Sequence, residues 1–355
     1  MDIKKILLPQ DKLKPLYADA LKLQFGRQFT DHMFAMQWDK GQGWHDPEIR
    51  PYGPLLMDPA ANVLHYGQEV FEGMKAYRSP SGEILLFRPD ENARRINNSL
   101  RRICMPEIPV EDFMQAVGEL VKLEQRWIPT AEGCSLYIRP AAIGTEAALG
   151  VRPADQYLFF VILSPVGPYF PEGFNPVGLW VSDNHVRAAL GGTGEAKTGG
   201  NYAGSLFASQ QAKERGYNQV LWLDAKERRY IEEVGAMNIF FVLDNVLITP
   251  PLSGSILNGV TRRSVLKLAD DVGIRAEQRQ ITIDEAVDGI KYRKLTECFG
   301  SGTAAVISPV GKISYKGQEY VIGGESGPWA RKLYETLTGI QTGRLPDKYG
   351  WVHKL

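Results

Sequence analysis

Gly191-Gly192-Thr193-Gly194-Glu195-Ala196-Lys197-Thr198-Gly199-Gly200-Asn201-Tyr202-Ala203-Gly204 places one lysine among six glycines, with a tyrosine five residues further on. Glycine has no Cβ, so its backbone approaches other groups closely and adopts φ > 0 at little steric cost. A lysine in such a segment decorates a surface loop, grips nucleotide phosphates, or forms a Schiff base with a carbonyl. The rest of the chain decides among the three.

At 355 residues the chain exceeds what one hydrophobic core usually organises, so two domains are expected. Apolar residues make up 44% and charged residues 23%, an ordinary globular balance. The net charge is zero, which removes the electrostatic footprint of a nucleic-acid binder. Met1-Asp2-Ile3-Lys4-Lys5-Ile6-Leu7-Leu8-Pro9 carries charges in place of a secretory apolar core, and the longest apolar run, 158–163, is too short to span a bilayer. A cytoplasmic protein without a membrane partner is expected. Cys104, Cys134 and Cys298 are odd in number and far apart, and the histidines are scattered, so neither a disulfide framework nor a metal site is expected.

The first half reads as mixed α/β. Residues 64–77 lead into an extended stretch ending at Phe87-Arg88, and Asp90 is read as the cap of a helix whose apolar positions Ala93, Ile96, Leu100 and Ile103 fall three or four apart. A second helix is predicted over 110–127 and strands over 135–143 and 157–165. Prolines and glycines crowd 167–176, and that density marks an interdomain linker. The expected boundaries are an N-terminal domain over 1–170, a linker over 171–184 and a C-terminal domain over 185–355. The second half is read to begin with a strand over 179–182, followed by a helix over 205–215 and strands over 219–223 and 229–233. A hairpin over 237–249 turns at Asp244-Asn245. Gly259-Val260-Thr261 opens a helix, short strands follow over 274–281, 295–300 and 303–307, and a last helix covers 328–337. Strands and helices do not alternate regularly, which argues against a doubly wound parallel sheet.

A phosphate-gripping loop needs a glycine immediately before its lysine. Here that position is Ala196, and Glu195 would set a carboxylate among phosphate oxygens. Val220-Leu221-Trp222-Leu223-Asp224 imitates the strand and aspartate of such enzymes, but apolar runs before an aspartate are common at strand ends. The nucleotide-binding reading is therefore weak.

A Schiff-base enzyme built on pyridoxal phosphate needs a lysine that can be neutral, a partner for the ring nitrogen, a phosphate cup and a group on the phenolic oxygen. Glu232 and Glu233 end a strand, and neighbouring strand residues face opposite ways, so one of them can meet the ring. Alternation leaves open which. The N–H groups at Gly259-Val260-Thr261 form an anion site, and Gly300-Ser301-Gly302-Thr303-Ala304 offers a second nest.

In this order the segments resemble the class IV aminotransferases, and the branched-chain amino acid aminotransferase family in particular. The class pattern is present as Glu233-x-Gly235-x-x-Asn238-Ile239-Phe240, then Leu247-x-Thr249, then Leu257-x-Gly259-Val260-x-Arg262. The branched-chain resemblance adds Phe25-Gly26-x-x-Phe29-Thr30-Asp31-His32-Met33, Phe71-Glu72-Gly73-Met74-Lys75-Ala76 and Leu136-Tyr137-Ile138-Arg139-Pro140. Lys197-x-Gly199-Gly200-Asn201-Tyr202 and Phe299-Gly300-Ser301-Gly302-Thr303-Ala304 complete it, so the likeness covers about 25–315.

The resemblance implies an α/β fold with mixed sheets, in the two-domain fold type IV arrangement with the cofactor between the domains. It implies that Lys197 carries pyridoxal 5′-phosphate as a Schiff base and that Glu233 bonds the ring nitrogen. Tyr202 would bond the phenolic oxygen, and Arg95, Val260, Thr261 and Thr303 would hold the phosphate. Phe25, Tyr66, Tyr137, Arg139 and Tyr169 would line the substrate pocket, with the N–H groups of Thr303 and Ala304 on the α-carboxylate. The implied reaction moves the amino group of leucine, isoleucine or valine to 2-oxoglutarate, giving glutamate, in a homodimer or higher oligomer. Other class IV enzymes, a D-amino-acid aminotransferase or an aminodeoxychorismate lyase, share the cofactor pattern. They are not expected to share the Phe71–Met74 and Tyr137–Arg139 stretches. Two departures stand out. Ala236 replaces a threonine of some animal members, and Ala305 and Ser308 replace their redox-sensitive cysteine pair.

Overall fold

Ser135–Gly144 and Gln156–Val166, two long antiparallel strands, form the middle of the first sheet in a computed structural model that describes residues 1–169 and 174–355. Contacts divide the chain into two units. The first comprises Met1–Pro171, Ala196–Gly199 and Ile340–Leu355, and the second Glu172–Glu195 and Gly200–Gly339. Two segments therefore depart from the expected boundaries. The C-terminal stretch joins the first unit because Val352–Lys354 pairs with Ile84–Phe87. Ala196–Gly199 joins it because the Phe71 N–H donates to the Lys197 carbonyl at 3.0 Å. Of the expected linker, 171–173 lies outside the described residues, while Val177–Val181 is a strand of the second sheet.

Among the described residues the first sheet has nine strands and is antiparallel except for the pairing of Lys4–Lys5 with Gly43–Pro51. Helices Pro89–Arg102 and Val110–Leu123 supply its cover. Ala93, Ile96, Leu100, Phe113, Val117 and Leu120 join Phe34, Leu136, Ile138, Phe159 and Leu163 in one buried cluster. Each large side chain so buried contributes about 1.5–3 kcal/mol, and truncating Phe159 to alanine costs about 3–5 kcal/mol. Asp90 does not cap its helix. Arg88 takes the cap position at φ 50°, Pro89 begins the helix, and Asp90 instead meets Arg94 one turn on. Proline suits that first position because its missing N–H has no partner there anyway.

The second sheet is mixed, and among the described residues it also has nine strands. Ile231–Val234, Gln219–Leu223, Val177–Val181, Val306–Tyr315, Leu295–Gly302 and Met237–Leu243 pair in that order, and the last pairs back with the first. Six strands thus close into a ring, which leaves them no free edges. The hairpin turn at Asp244-Asn245 has φ of 48° and 62°, the left-handed pair that this tight turn requires. The helix Ile283–Lys291 was absent from the expected elements. Its signal was legible: the Thr282 hydroxyl accepts from the Glu285 N–H, and Ile283, Ala286, Val287 and Ile290 form one buried stripe. The strand expected over 303–307 begins only at Val306, because Thr303, Ala304 and Ala305 form the turn before it. Val306 sits at φ 62°, a conformation that costs a β-branched residue on the order of 1–3 kcal/mol. No helix of the described residues is long and apolar enough to cross a membrane.

Candidate active site

Lys197 is held by its backbone on both sides. Its N–H donates to the Ser99 hydroxyl at 2.9 Å, and Thr198 forms a bridge with Val70 while its hydroxyl donates to the Glu69 carbonyl at 2.7 Å. The glycines around it serve close approach rather than flexibility. A Cβ on Gly194 would lie 2.3 Å from the Ser255 carbonyl oxygen, and one on Gly199 would lie 2.3 Å from Glu69 Oε2. The lysine is thereby fixed in place.

Its Nζ lies 4.6 Å from the centre of the Phe71 ring. Burial, with the Arg95 charge as second cause, pushes the amine from 10.5 down to about 8, against a weaker upward pull from Glu72. A lysine so placed has a usable neutral fraction near neutral pH. Lys75, on the strand Met74–Arg78, is also pushed to about 8 by burial alone, so a depressed amine is not by itself a mark of Lys197.

Arg95 projects from the Pro89–Arg102 helix and is buried. Its Nε and Nη2 donate to Glu72 Oε1 and Oε2 at 2.7 and 2.8 Å, and Asn92 adds a third bond to Oε2 at 2.8 Å. Tyr137 and Arg139, two apart on one strand, share a face, and Arg139 Nη2 lies 3.3 Å from the Tyr137 hydroxyl. The Arg139 guanidinium also lies 4.8 Å from the Phe71 ring centre, and Phe25 meets Tyr137 edge-on at 4.8 Å. Phe25, Tyr137, Arg139 and Lys197 are thus linked through ring contacts. Tyr66 turns its hydroxyl instead to the Leu149 carbonyl, and Tyr169 is 43% exposed.

In the second unit Glu233 is 3% exposed on the strand Ile231–Val234. Its Oε2 meets Arg187 Nη2 at 2.6 Å, while Oε1 accepts from Asn238 Nδ2 at 3.0 Å and from the Leu257 N–H at 3.3 Å. Three donors, one of them cationic, favour the ionised acid. Glu232, on the opposite face of the strand, accepts from the Ser255 hydroxyl, its Oε2 has no hydrogen-bond partner among the described residues, and burial pushes its pKa up. Of the two acids, Glu233 has the surroundings of a stable carboxylate.

Asn238 also donates to the Leu257 carbonyl at 2.8 Å, and a Cβ on Gly259 would lie 2.1 Å from its Oδ1. The side chain therefore lies against the N-terminal end of the Val260–Val272 helix. Val260 and Thr261 are buried in its first turn, where backbone N–H groups lack intrahelical acceptors. Thr303 and Ala304 lie half-buried in their turn, and Tyr202 lies half-buried on the short helix Gly199–Ala203. The first unit thus offers a neutralisable amine and a buried arginine, the second a buried acid with an arginine partner and a helix N-terminus. Those donor types fit an aldehyde-bearing, phosphorylated aromatic cofactor.

A family model described as amino-transferase class IV matches residues 69–313. Branched-chain-amino-acid aminotransferase 2 of Bacillus subtilis (strain 168) is 53% identical over 334 residues, 94% of this chain and 92% of the relative. The chain belongs to the class IV aminotransferases, in the branched-chain aminotransferase family. The Escherichia coli branched-chain amino acid aminotransferase has a similar fold, with a TM-score of 0.73 at 28% identity over 89% of this chain and 98% of that one. The branched-chain amino acid aminotransferase of Thermobaculum terrenum, solved in its PLP-bound holo form, gives a TM-score of 0.73 at 25% identity over 90% of this chain and 97% of that one. The resemblance carried by the sequence motifs and the mixed α/β fold expected from it both hold for this member of the branched-chain aminotransferase family.

Three residues of the site were not singled out by sequence. Glu72 and Asn238 lie inside quoted motifs but without roles, and their tasks become visible only as partners of Arg95 and Glu233. Arg187 stands ten positions before Lys197 with no pattern around it, so no local signal could have found it.

Proposed function

We propose that the chain transfers the amino group of L-leucine, L-isoleucine or L-valine to 2-oxoglutarate, giving the branched 2-oxo acid and L-glutamate. The observation that carries this reading is 53% identity to a branched-chain aminotransferase over 94% of this chain, with Lys197 set against the Phe71 ring and held through its backbone by Ser99 and Phe71. Bound pyridoxal 5′-phosphate would supply an aldehyde for the amine and an electron-withdrawing ring.

The chain's own residues then divide the work. Lys197 would anchor the cofactor, and its amine, neutral in part near neutral pH, would take a proton from the substrate Cα. Glu233, held by Arg187 and Asn238, would be the acid that meets the ring nitrogen. Arg95, Val260, Thr261 and the Thr303 hydroxyl would hold the phosphate, and Tyr202 would hold the phenolic oxygen. The N–H groups of Thr303 and Ala304 take the α-carboxylate. Phe25, Tyr66, Tyr137 and Tyr169 give an aliphatic chain an aromatic wall, while Arg139 meets the second carboxylate of glutamate. A homodimer follows from the same reading: Phe25, Tyr66 and Tyr169 are 50%, 41% and 43% exposed, which suits a pocket completed by a second copy.

Borohydride reduction followed by peptide mapping tests the anchor, and a pyridoxyl adduct is expected on Lys197 and not on Lys75. Turnover of L-leucine is expected, and turnover of D-alanine or aminodeoxychorismate in its place would overturn the substrate assignment.

A further inference from the structure

Glu72 is an acid beside Lys197 to which the reaction above gives no task. Its side chain has no solvent exposure, and the Arg95 side chain is 9% exposed. Oε1 accepts from Arg95 Nε, while Oε2 accepts from Arg95 Nη2, Asn92 Nδ2 and the Gly73 N–H at 2.8, 2.8 and 3.0 Å. Burial pushes this carboxyl up, but the Arg95 charge and bonds, with Lys197 and Asn92, hold it below its ordinary value. A buried ion pair is often no more stabilising than apolar residues of the same volume, so its presence here calls for a use beyond stability.

The geometry supplies two. Two of the five guanidinium N–H donors of Arg95 go to one carboxylate as a fork, which fixes the plane of the group and the direction of its remaining donors. The same carboxylate follows Phe71 in the chain, whose ring lies under the Lys197 amine. The charged and titratable groups around that amine come from three elements. Arg95 on its helix and Arg139 on its strand oppose a charged amine, while Glu72 and Tyr137 favour one. Glu69, one strand residue before Val70, lies near Arg139, and burial pushes its carboxyl up. Glu72 is thus the well-ionised acid of the group.

We propose that Glu72 is a positioning residue for transamination, locking the Arg95 fork toward the cofactor phosphate and balancing the positive charge beside Lys197. The proposal rests on Lys197 being the lysine that carries the cofactor. Without Glu72, only Tyr137 is left to offset the two guanidinium groups near the nitrogen, and it gives up its proton more readily.

The test is a pH titration of the visible band of the full-length protein, saturated with pyridoxal 5′-phosphate. Glu72→Gln removes the charge at nearly constant shape and is expected to lower the midpoint by roughly 1–3 pH units, the effect of losing one nearby opposite charge. Arg95→Met is expected to raise it. Because Glu72→Gln leaves a guanidinium buried without its acid, that variant can fail to fold. The pair Arg95→Met and Glu72→Gln/Arg95→Met then makes the same comparison, and the added glutamine must again lower the midpoint. In the cofactor-free protein the pH dependence of Lys197 acetylation, read by peptide mapping, should move in the same direction. A purely structural Glu72 would lower the melting temperature and leave the midpoint where it was, which would overturn the proposal alone. A wild-type chain with no visible band and no adduct at Lys197 would overturn it together with the reading it rests on.

Discussion

Arg187 Nη2 lies 2.6 Å from Glu233 Oε2, and the Arg187 guanidinium also donates to the Gly194 and Ser255 carbonyls at 3.1 and 2.5 Å. One cation therefore fastens the acid, the glycine-rich segment and the loop that precedes the Val260–Val272 helix. Arg187→Met is expected to leave Glu233 buried without its counter-charge, at a cost of about 3–5 kcal/mol. Arg187→Lys keeps the charge but not the planar guanidinium and should recover part of that loss. Urea unfolding of the three proteins measures it, and equal midpoints for wild type and Arg187→Met would refute the fastening role.

Lys197→Met should abolish transamination and, in the cofactor-free protein, raise thermal stability at neutral pH. The amine titrates near 8 in the folded chain and near 10.5 when unfolded, so between these values the unfolded state binds the extra proton. Stability of the wild type therefore rises with pH across that window, and below it the full penalty of enclosing a charge is present. The advantage of the methionine variant should shrink from about pH 8 upward. A melting-temperature gap that stays constant with pH would contradict the depressed amine.

A Cβ on Gly73 would stand 2.0 Å from the Tyr137 hydroxyl oxygen. Gly73→Ala should displace that ring from Phe25 and Arg139, destabilise the fold by about 1–3 kcal/mol and raise KM for both substrates. Adding Tyr137→Phe removes the closest clashing atom but leaves ring carbon Cζ 2.9 Å from the methyl, so the double variant should regain part of the stability while its KM stays high. Calorimetry alongside steady-state kinetics separates the two effects, and joint recovery of both would show that Tyr137 does not face substrate.

Much of this site was legible in the chain because its signals are local. Gly259-Val260-Thr261 announces a helix start, and the helix begins at Val260. The Asp244-Asn245 turn and the Lys197 segment were equally plain. What could not be read depends on residues that meet only after folding. Glu72 finds Arg95 across 23 positions, and Arg187 reaches Glu233 from a different element. Strand alternation set Glu232 and Glu233 apart without saying which would gain the counter-charge. The left-handed backbone at Val306 had no signal at all, since valine is among the residues least suited to it.

Gly259→Ala would bring its methyl within 2.1 Å of Asn238 Oδ1 and force the carboxamide off both Glu233 and the Leu257 carbonyl. Cofactor affinity is expected to fall by roughly 10–100-fold, the loss of one or two charge-assisted contacts. Asn238→Ala in the same background should restore the melting temperature but not the affinity. Equilibrium dialysis with pyridoxal phosphate reads the difference, and full recovery of binding would remove Asn238 from the acid's support.

The four residues Ala196–Gly199 count with the first unit, although the chain on either side of them belongs to the second. A gene cut at the seam between the units would therefore strand the reactive lysine on the wrong fragment. The N-terminal fragment would lose the Lys197 carbonyl that receives the Phe71 N–H and the Thr198 hydroxyl that serves the Glu69 carbonyl. That raw margin would invite pairing with a foreign chain. Chimeras among relatives should accordingly inherit 69–71 and 196–199 from the same parent.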